Sequence, residues 1–160
     1  MIRGAPRFLC DEMLGHLCRY LRAAGYDTVL AENGKPDGDL LRQAAAERRL
    51  FLTLDRGIVE HKVAGGVAMV LPRGSLDDYV RALGAEVPLD WVSRAFTRCL
   101  VDNAPLEKAP PEKRRQAPAV LNRDGEPVSL CPACGRIYWR GSHYRRMWQR
   151  LTRWQQEQQA

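Results

Sequence analysis

No apolar run in the 160 residues approaches the roughly 20 needed to cross a bilayer. The opening stretch MIRGAPRFLC holds no apolar segment long enough for a signal peptide. The expectation is a cytoplasmic protein without a membrane partner. Histidine is scarce, at three, and no serine, cysteine or histidine triad signature and no glycine-rich phosphate loop is present. His16 and His61 stand alone in sequence and read as structural or surface residues. No internal repeat is visible. Cysteine is limited to five, and in a cytoplasmic chain such thiols point to metal or to the core before disulfides. A hydrophobic fraction of 45% argues against wholesale disorder. The length suits one domain, or one domain with a small appendage.

Basic charge is what the chain has in excess. The formal net charge is +6, and the surplus is concentrated at one end. Beyond Gly135 stand Arg136, Arg140, Arg145, Arg146, Arg150 and Arg153, with Glu157 as the one acid. A one-sided basic segment suits a polyanion, of which nucleic acid is the commonest. A merely solubilising surface is the plainer alternative.

Patterning along the chain alternates. RFLC, at 7–10, is a short apolar run ending at Asp11. MLGHLCRYLRAAGYD then has apolar residues at Met13, Leu14, Leu17, Cys18, Leu21 and Ala24, a helical period with Gly25 as its C-terminal cap. Thr28-Val29-Leu30 is a second strand. After the breaker-rich ENGKP, Asp37 is placed to N-cap the helix DLLRQAAAERR. Leu50 to Leu54 is a continuous apolar run ending at Asp55, as interior strands of parallel sheets are. Residues 58–62 suggest a helical turn and 67–71 a strand. Ser75, with Asp78 three residues on, opens a further helix, and 91–96 is expected to continue the helical region. Such alternation predicts a three-layer α/β sandwich with a mostly parallel sheet over about residues 5–95. Beyond Cys99, DNAPLEKAPPEKRRQAP reads as a loop or linker.

Ligand sites in open parallel sheets lie outside the carboxyl ends of the strands. Asp11 and Asp55 each follow an apolar run, and Asp37 or Asp39 at a helix start can face the same edge. Carboxylates gathered there could hold magnesium or manganese and serve in-line displacement at a phosphodiester. The plain alternative is that Asp37 is a helix cap and that Glu12 and Asp39 are solvated charges. Cys131-Pro-Ala-Cys134-Gly135 is half of a zinc site: two thiolates on a tight turn. Its partner by spacing is Cys99-Leu-Val-Asp102, giving a Cys3Asp set. A site completed by His143 or water, or one without metal, is the alternative. Cys10 and Cys18 read as core residues.

Three segments, FLCDEMLGHLCRYLRAAGYDT, DGDLLRQAAAERRLFLTLDR and CPACGRIYWRGSHYRRM, together resemble the Mut-7 C-terminal RNase domain family over about Arg7 to Met147. The resemblance implies a PIN-like nuclease domain over 5–96 and a zinc-ribbon-like domain over 97–150. The ribbon would carry a Pro/Lys/Arg-rich insert at about 104–120, with a basic, Gln-rich tail at 151–160. It implies a metal-dependent ribonuclease using magnesium or manganese at Asp11, Asp37 and Asp55, the last matching the family's T-x-D motif at Thr53-Leu54-Asp55. Glu12 and Asp39 would be supporting or alternative acids. Structural zinc would sit on Cys99, Asp102, Cys131 and Cys134. The family pattern normally has cysteine where Asp102 stands, followed by the asparagine seen at Asn103. RNA is the expected partner, through Arg140, His143, Tyr144, Arg145 and Arg146. Tyr138 and Trp139 offer either stacking surfaces or a small ribbon core, the core being preferred for Trp139. The alternatives to a nuclease are a non-catalytic module binding RNA, a ribosome or another ribonucleoprotein, and a toxin-like PIN nuclease.

Overall fold

A computed structural model describes residues 4–60, 65–119 and 125–160. His61 and Lys62, and Val120 at the end of the expected insert, lie outside the described residues. The chain divides into two compact units, one formed by residues 1–21 and 26–89, the other by 22–25 and 90–160. No helix among the described residues is long and apolar enough to cross a membrane.

The first unit is built on four short parallel strands, β1 (Phe8–Cys10), β2 (Thr28–Leu30), β3 (Leu50–Thr53) and β4 (Ala68–Val70), in the order β2-β1-β3-β4. Register pairs Cys10 with Leu30 on one side and with Leu52 on the other. Side chains alternate across a strand, so Leu9 and Phe51 share one face while Phe8, Cys10 and Leu52 share the other. All five are fully buried. Burial on both faces is why these strands read as unbroken apolar runs. The Leu9 face is covered by Leu40, Leu41 and Ala44 of α2 (Asp37–Glu47), together with Ile58.

Local signals explain the helices. A 3-10 turn at Glu12–Leu14 leads into α1 (Gly15–Ala23). The tighter turn shifts the phase, so Met13, expected on the apolar stripe, is 74% exposed. At the end of α1, Gly25 donates to the Arg22 carbonyl and Tyr26 to the Leu21 carbonyl, a Schellman stop with Gly25 at φ +93°. Helix α3 (Leu76–Glu86) opens with the expected capping box: Ser75 accepts from the Asp78 amide and Asp78 from the Ser75 amide.

Two local expectations are corrected. Asp37 is not the N-cap of α2; Pro36 holds that position with extended backbone and no side-chain cap, and Asp37 is the first helical residue. Residues 91–96 form turns rather than helix, with Phe96 at φ +60°.

At the amino ends of the strands a charged network closes the first unit. Buried Arg49 donates to Asp27 Oδ1 at 2.8 Å, to Glu47 Oε2 at 2.6 Å and to the Phe8 carbonyl at 3.3 Å. Arg7 adds a bond to Asp27 Oδ2 at 3.0 Å and one to the Glu47 carbonyl. The Arg49 guanidinium holds the Glu47 carboxyl below its ordinary range.

The second unit carries a three-stranded antiparallel sheet, β5 (Glu107–Lys108), β6 (Val128–Leu130) and β7 (Ile137–Trp139), in that order. The segment read as a loop thus contributes an edge strand and the short helix α4 (Pro111–Arg114). Ala109, Ala117 and Val128 form a small core, against which Ile137 and Trp139 pack. The long helix α5 (Ser142–Gln159) buries Met147, Leu151 and Trp154. Within the segment expected as a basic, Gln-rich tail, residues 151–159 are helical.

Two left-handed positions give opposite stability predictions. A Cβ on Gly25 would lie 2.4 Å from the Arg94 carbonyl oxygen, so Gly25→Ala should cost roughly 1–3 kcal/mol. Arg48 ends α2 at φ +54° without a glycine's freedom, and Arg48→Gly should gain about 0.5–1 kcal/mol. Chemical denaturation of the two variants checks both signs.

Candidate functional site

The parallel register places Asp11 directly after β1, beside Thr53 at the end of β3. The Asp11 amide donates to the Leu52 carbonyl at 2.9 Å, carrying the ladder one residue past the strand. Its Oδ1 caps the 3-10 turn by accepting from the Glu12 amide at 2.8 Å. Its Oδ2 accepts from the Thr53 hydroxyl at 2.8 Å. The same hydroxyl accepts from the Asp55 amide at 3.1 Å, and Asp55 Oδ1 accepts from the Gly57 amide at 2.8 Å. One threonine thus ties both strand-end aspartates. A carboxylate offers about four lone-pair sites, so these bonds leave both groups able to accept a hard cation.

The other expected acids stand differently. Asp37 is half-buried in the first turn of α2, Asp39 pairs with Arg42 one turn along, and Glu12 is exposed. Asp11, Asp37 and Asp55 do not bring ligand atoms within 4.8 Å of one another as a trio; among the described residues the set that does is Cys99, Asp102, Cys131 and Cys134. His16 is a surface residue tilted against Tyr20, whereas Cys10 and Cys18 are buried core thiols.

The Cys/Asp set is assembled by two turns of the same design. In the first, Asn103, at φ +73°, donates to the Cys99 carbonyl at 3.0 Å, and the Cys99 amide donates to the Ala104 carbonyl at 2.8 Å. In the second, Gly135, at φ +76°, donates to the Cys131 carbonyl at 2.9 Å, and the Cys131 amide donates to the Arg136 carbonyl at 2.8 Å. Asp102 therefore occupies the place in its turn that Cys134 occupies in the other. Arg22 braces the first turn by donating to the Leu100 and Val101 carbonyls.

This donor set fits a tetrahedral ion such as zinc. Thiolates at about 2.3 Å from such an ion stand about 3.8 Å apart, and the Cys99 and Cys134 sulfurs are 3.8 Å apart. Both Asp102 oxygens lie near Cys131 Sγ, at 3.3 and 3.2 Å. His143 is not a member of the set. The Ala104 amide holds the Asp102 carboxyl down to about 2, so it is available as an anionic ligand at neutral pH. Burial pushes the Cys131 thiol up to about 12, so ligation must displace its proton. Burial also opposes ionisation of Cys99, but the Tyr138 hydroxyl, at 3.0 Å, and backbone amides outweigh it and lower that thiol.

Tyr138 is the contributor that sequence reading missed. Its hydroxyl touches Cys99 Sγ and accepts from the Leu100 amide at 3.1 Å, so it braces the Cys/Asp set. A tyrosine four residues after a CxxC carries no signal of that bond. Trp139 packs on the small core, as preferred. Of the residues expected to meet RNA, Arg140, His143, Arg145 and Arg146 are exposed, and Tyr144 is half-buried.

Compared with known proteins, the chain matches the family model of the Mut7-C RNAse domain over residues 6–151. No curated protein and no solved structure matches it.

Removing the Tyr138 hydroxyl takes away a partner of a ligating sulfur, which typically costs 10–100-fold in metal affinity. Tyr138→Phe should show a loss of about that size in zinc competition against a chromogenic chelator. Affinity in the parent protein should fall as the solution is acidified, because the thiols must shed protons to bind.

Proposed function

Because the chain belongs to the Mut7-C RNAse domain family, we propose that it is a ribonuclease that hydrolyses RNA phosphodiester bonds at the acidic edge of its parallel sheet, with magnesium or manganese as cofactor. The observation that carries this reading is the Thr53 hydroxyl, which orients Asp11 and Asp55 at the carboxyl ends of adjacent strands. That edge is where open parallel sheets place their ligands. Four parallel strands, the central two buried on both faces, support a PIN-like three-layer arrangement for this domain, with a ribbon domain following it.

In this mechanism Asp11 and Asp55 would hold a divalent ion. Asp37 would assist through a second ion or a bound water, with Asp39 or Glu12 outside it. The ion would activate water and offset charge building on the phosphoryl oxygens. The Thr53 hydroxyl and the Glu12 and Gly57 amides hold the two carboxylates in place, so that little reorganisation is needed when substrate arrives. Water is the nucleophile, and no covalent protein intermediate forms. Arg145 and Arg146 neutralise phosphates.

A second reading, a non-catalytic module binding RNA or a ribonucleoprotein, is favoured by the exposed arginines of α5, which need no acid to act. Cleavage separates the two. Asp55→Asn should abolish hydrolysis in magnesium or manganese buffer with the circular dichroism spectrum unchanged; equal cleavage by both proteins would sink the catalytic assignment. Arg145→Ala with Arg146→Ala should weaken RNA binding and reduce the slope of log affinity against log salt by about 2, one for each lost phosphate contact. An unchanged slope would place the RNA elsewhere.

A further inference from the structure

We propose that the second unit carries a binding site for single-stranded RNA in which unpaired bases stack on Phe96, Tyr144 and Trp148, with Arg140 and Lys108 taking the flanking phosphates. The choice of RNA as ligand rests on the ribonuclease reading; the site itself rests on the following geometry.

Helix α5 presents one broad apolar stripe whose two edges differ in burial. Met147, Leu151 and Trp154 are buried, and Trp154 meets Trp91 edge-on at 5.1 Å between ring centroids. That edge anchors the helix. Tyr144 and Trp148, one turn apart, form the other edge of the same stripe and are both half-exposed. Their rings are nearly parallel, 12° apart in plane and 6.4 Å between centroids. Phe96 joins them from the turn region, 4.2 Å from Tyr144 and 6.3 Å from Trp148. Three half-exposed aromatic rings in mutual contact make a surface on which any base can stack, whatever its sequence, because every base has a π-face.

Two independent features point to a ligand rather than to packing alone. Phe96 has its backbone in the left-handed region, at φ +60°, where glycine sits without strain and a bulky residue is an outlier. Holding an aromatic ring there keeps the ring at this place despite the backbone conformation, and such strain clusters at functional sites. Phe96 also forms part of the wall of an open cleft of about 530 Å³, shared with Leu106, Lys108, Glu126 and Val128. That volume lies in the range of small-ligand sites, and the cleft offers Lys108 as a cation and Glu107 and Glu126 as acceptors for base amino groups.

Charge selects the class of occupant. The Arg140 guanidinium lies over the Tyr144 ring at 5.8 Å, a cation–π contact that sets it beside the stacking surface. Arg145 and Arg146 are exposed on the same helix. Aromatic rings interleaved with arginines are the recurring composition of single-strand binding surfaces. Duplex RNA, whose bases are already stacked, would use only the arginines.

The test is binding by full-length protein carrying Asp55→Asn, measured by fluorescence anisotropy with dye-labelled oligouridine and with a duplex RNA of equal length. The single strand should bind more tightly. Tyr144→Leu and Trp148→Leu should each weaken single-strand binding about 5- to 150-fold, and Tyr144→Phe should leave it near the parent. Oligouridine should quench tryptophan emission, and Trp148→Phe should remove most of that quenching. Equal affinity for single strand and duplex, or leucine variants that bind like the parent, would overturn the proposal and leave the aromatic face to protein packing. If a leucine variant fails to fold, the quenching decides alone, and its absence overturns the site. Cleavage by the wild-type protein is assayed separately. Aromatic-dependent binding without cleavage would sink the ribonuclease reading and keep this site, whereas cleavage without aromatic dependence would do the reverse.

Discussion

The pairing that sets Cys10 opposite Leu52 is the constraint on which the acidic edge depends. With that register, Asp11 emerges beside Thr53, and a single hydroxyl can donate to one aspartate while accepting from the backbone of the other. A slip of one residue would turn every side chain of β1 to the opposite face. Leu9 would leave the α2 face, Phe8 and Cys10 would enter it, and Asp11 would lose the hydroxyl. Packing and site geometry are therefore fixed by the same pairing. The buried residues that hold it, Phe8, Leu9, Phe51 and Leu52, make no polar contact with the site through their side chains.

The Cys/Asp set shows a different logic, in which backbone carries the design and side chains vary upon it. Both turns use a left-handed residue after the second ligand, and both return the same two backbone bonds. Asparagine tolerates that conformation better than most side chains, so Asn103 serves where the other turn has Gly135. Because neither bond involves the ligand side chain, a carboxylate can replace a thiolate without dismantling the turn. The shorter reach of an oxygen ligand is met locally: the Ala104 amide fixes Asp102 Oδ1 at 3.0 Å while both oxygens remain beside Cys131.

Much of this was legible in the sequence, for identifiable reasons. Strands buried on both faces leave continuous apolar runs, so β1 and β3 and the acids that end them could be read directly. The Ser75 box and the Gly25 stop are local chemistry and were equally plain. The Cys99/Asp102 and Cys131/Cys134 halves followed from matched spacing. What failed was of two kinds. Strand β5 is Glu107-Lys108, both exposed, and carries no hydrophobic pattern to find. Residues 91–96 have apolar residues, but their positions are set by turns, with Trp91 buried and Phe96 left-handed, so periodicity misled. Pro36 displaced Asp37 from the cap because its ring already supplies the φ of −62° found there. The Thr53 and Tyr138 hydroxyl bonds join residues 42 and 39 positions apart, and no local pattern encodes such partners.

The brevity of the strands has a consequence for the acidic edge. Three residues at about 3.3 Å each make a sheet about 10 Å from end to end, close to one screening length at 0.1 M salt. The buried guanidinium of Arg49 closes the amino ends of these strands, and the aspartates stand at the carboxyl ends. Protein between them screens less than salt water does. The cation that staples one end of the sheet is balanced there by Asp27 and Glu47, so the intact network sends little net charge to the acids at the other. Removing the cation alone would be felt at those acids as a change in field even if the fold survived, so that scaffold and site share one electrostatic system across the thickness of a single short strand.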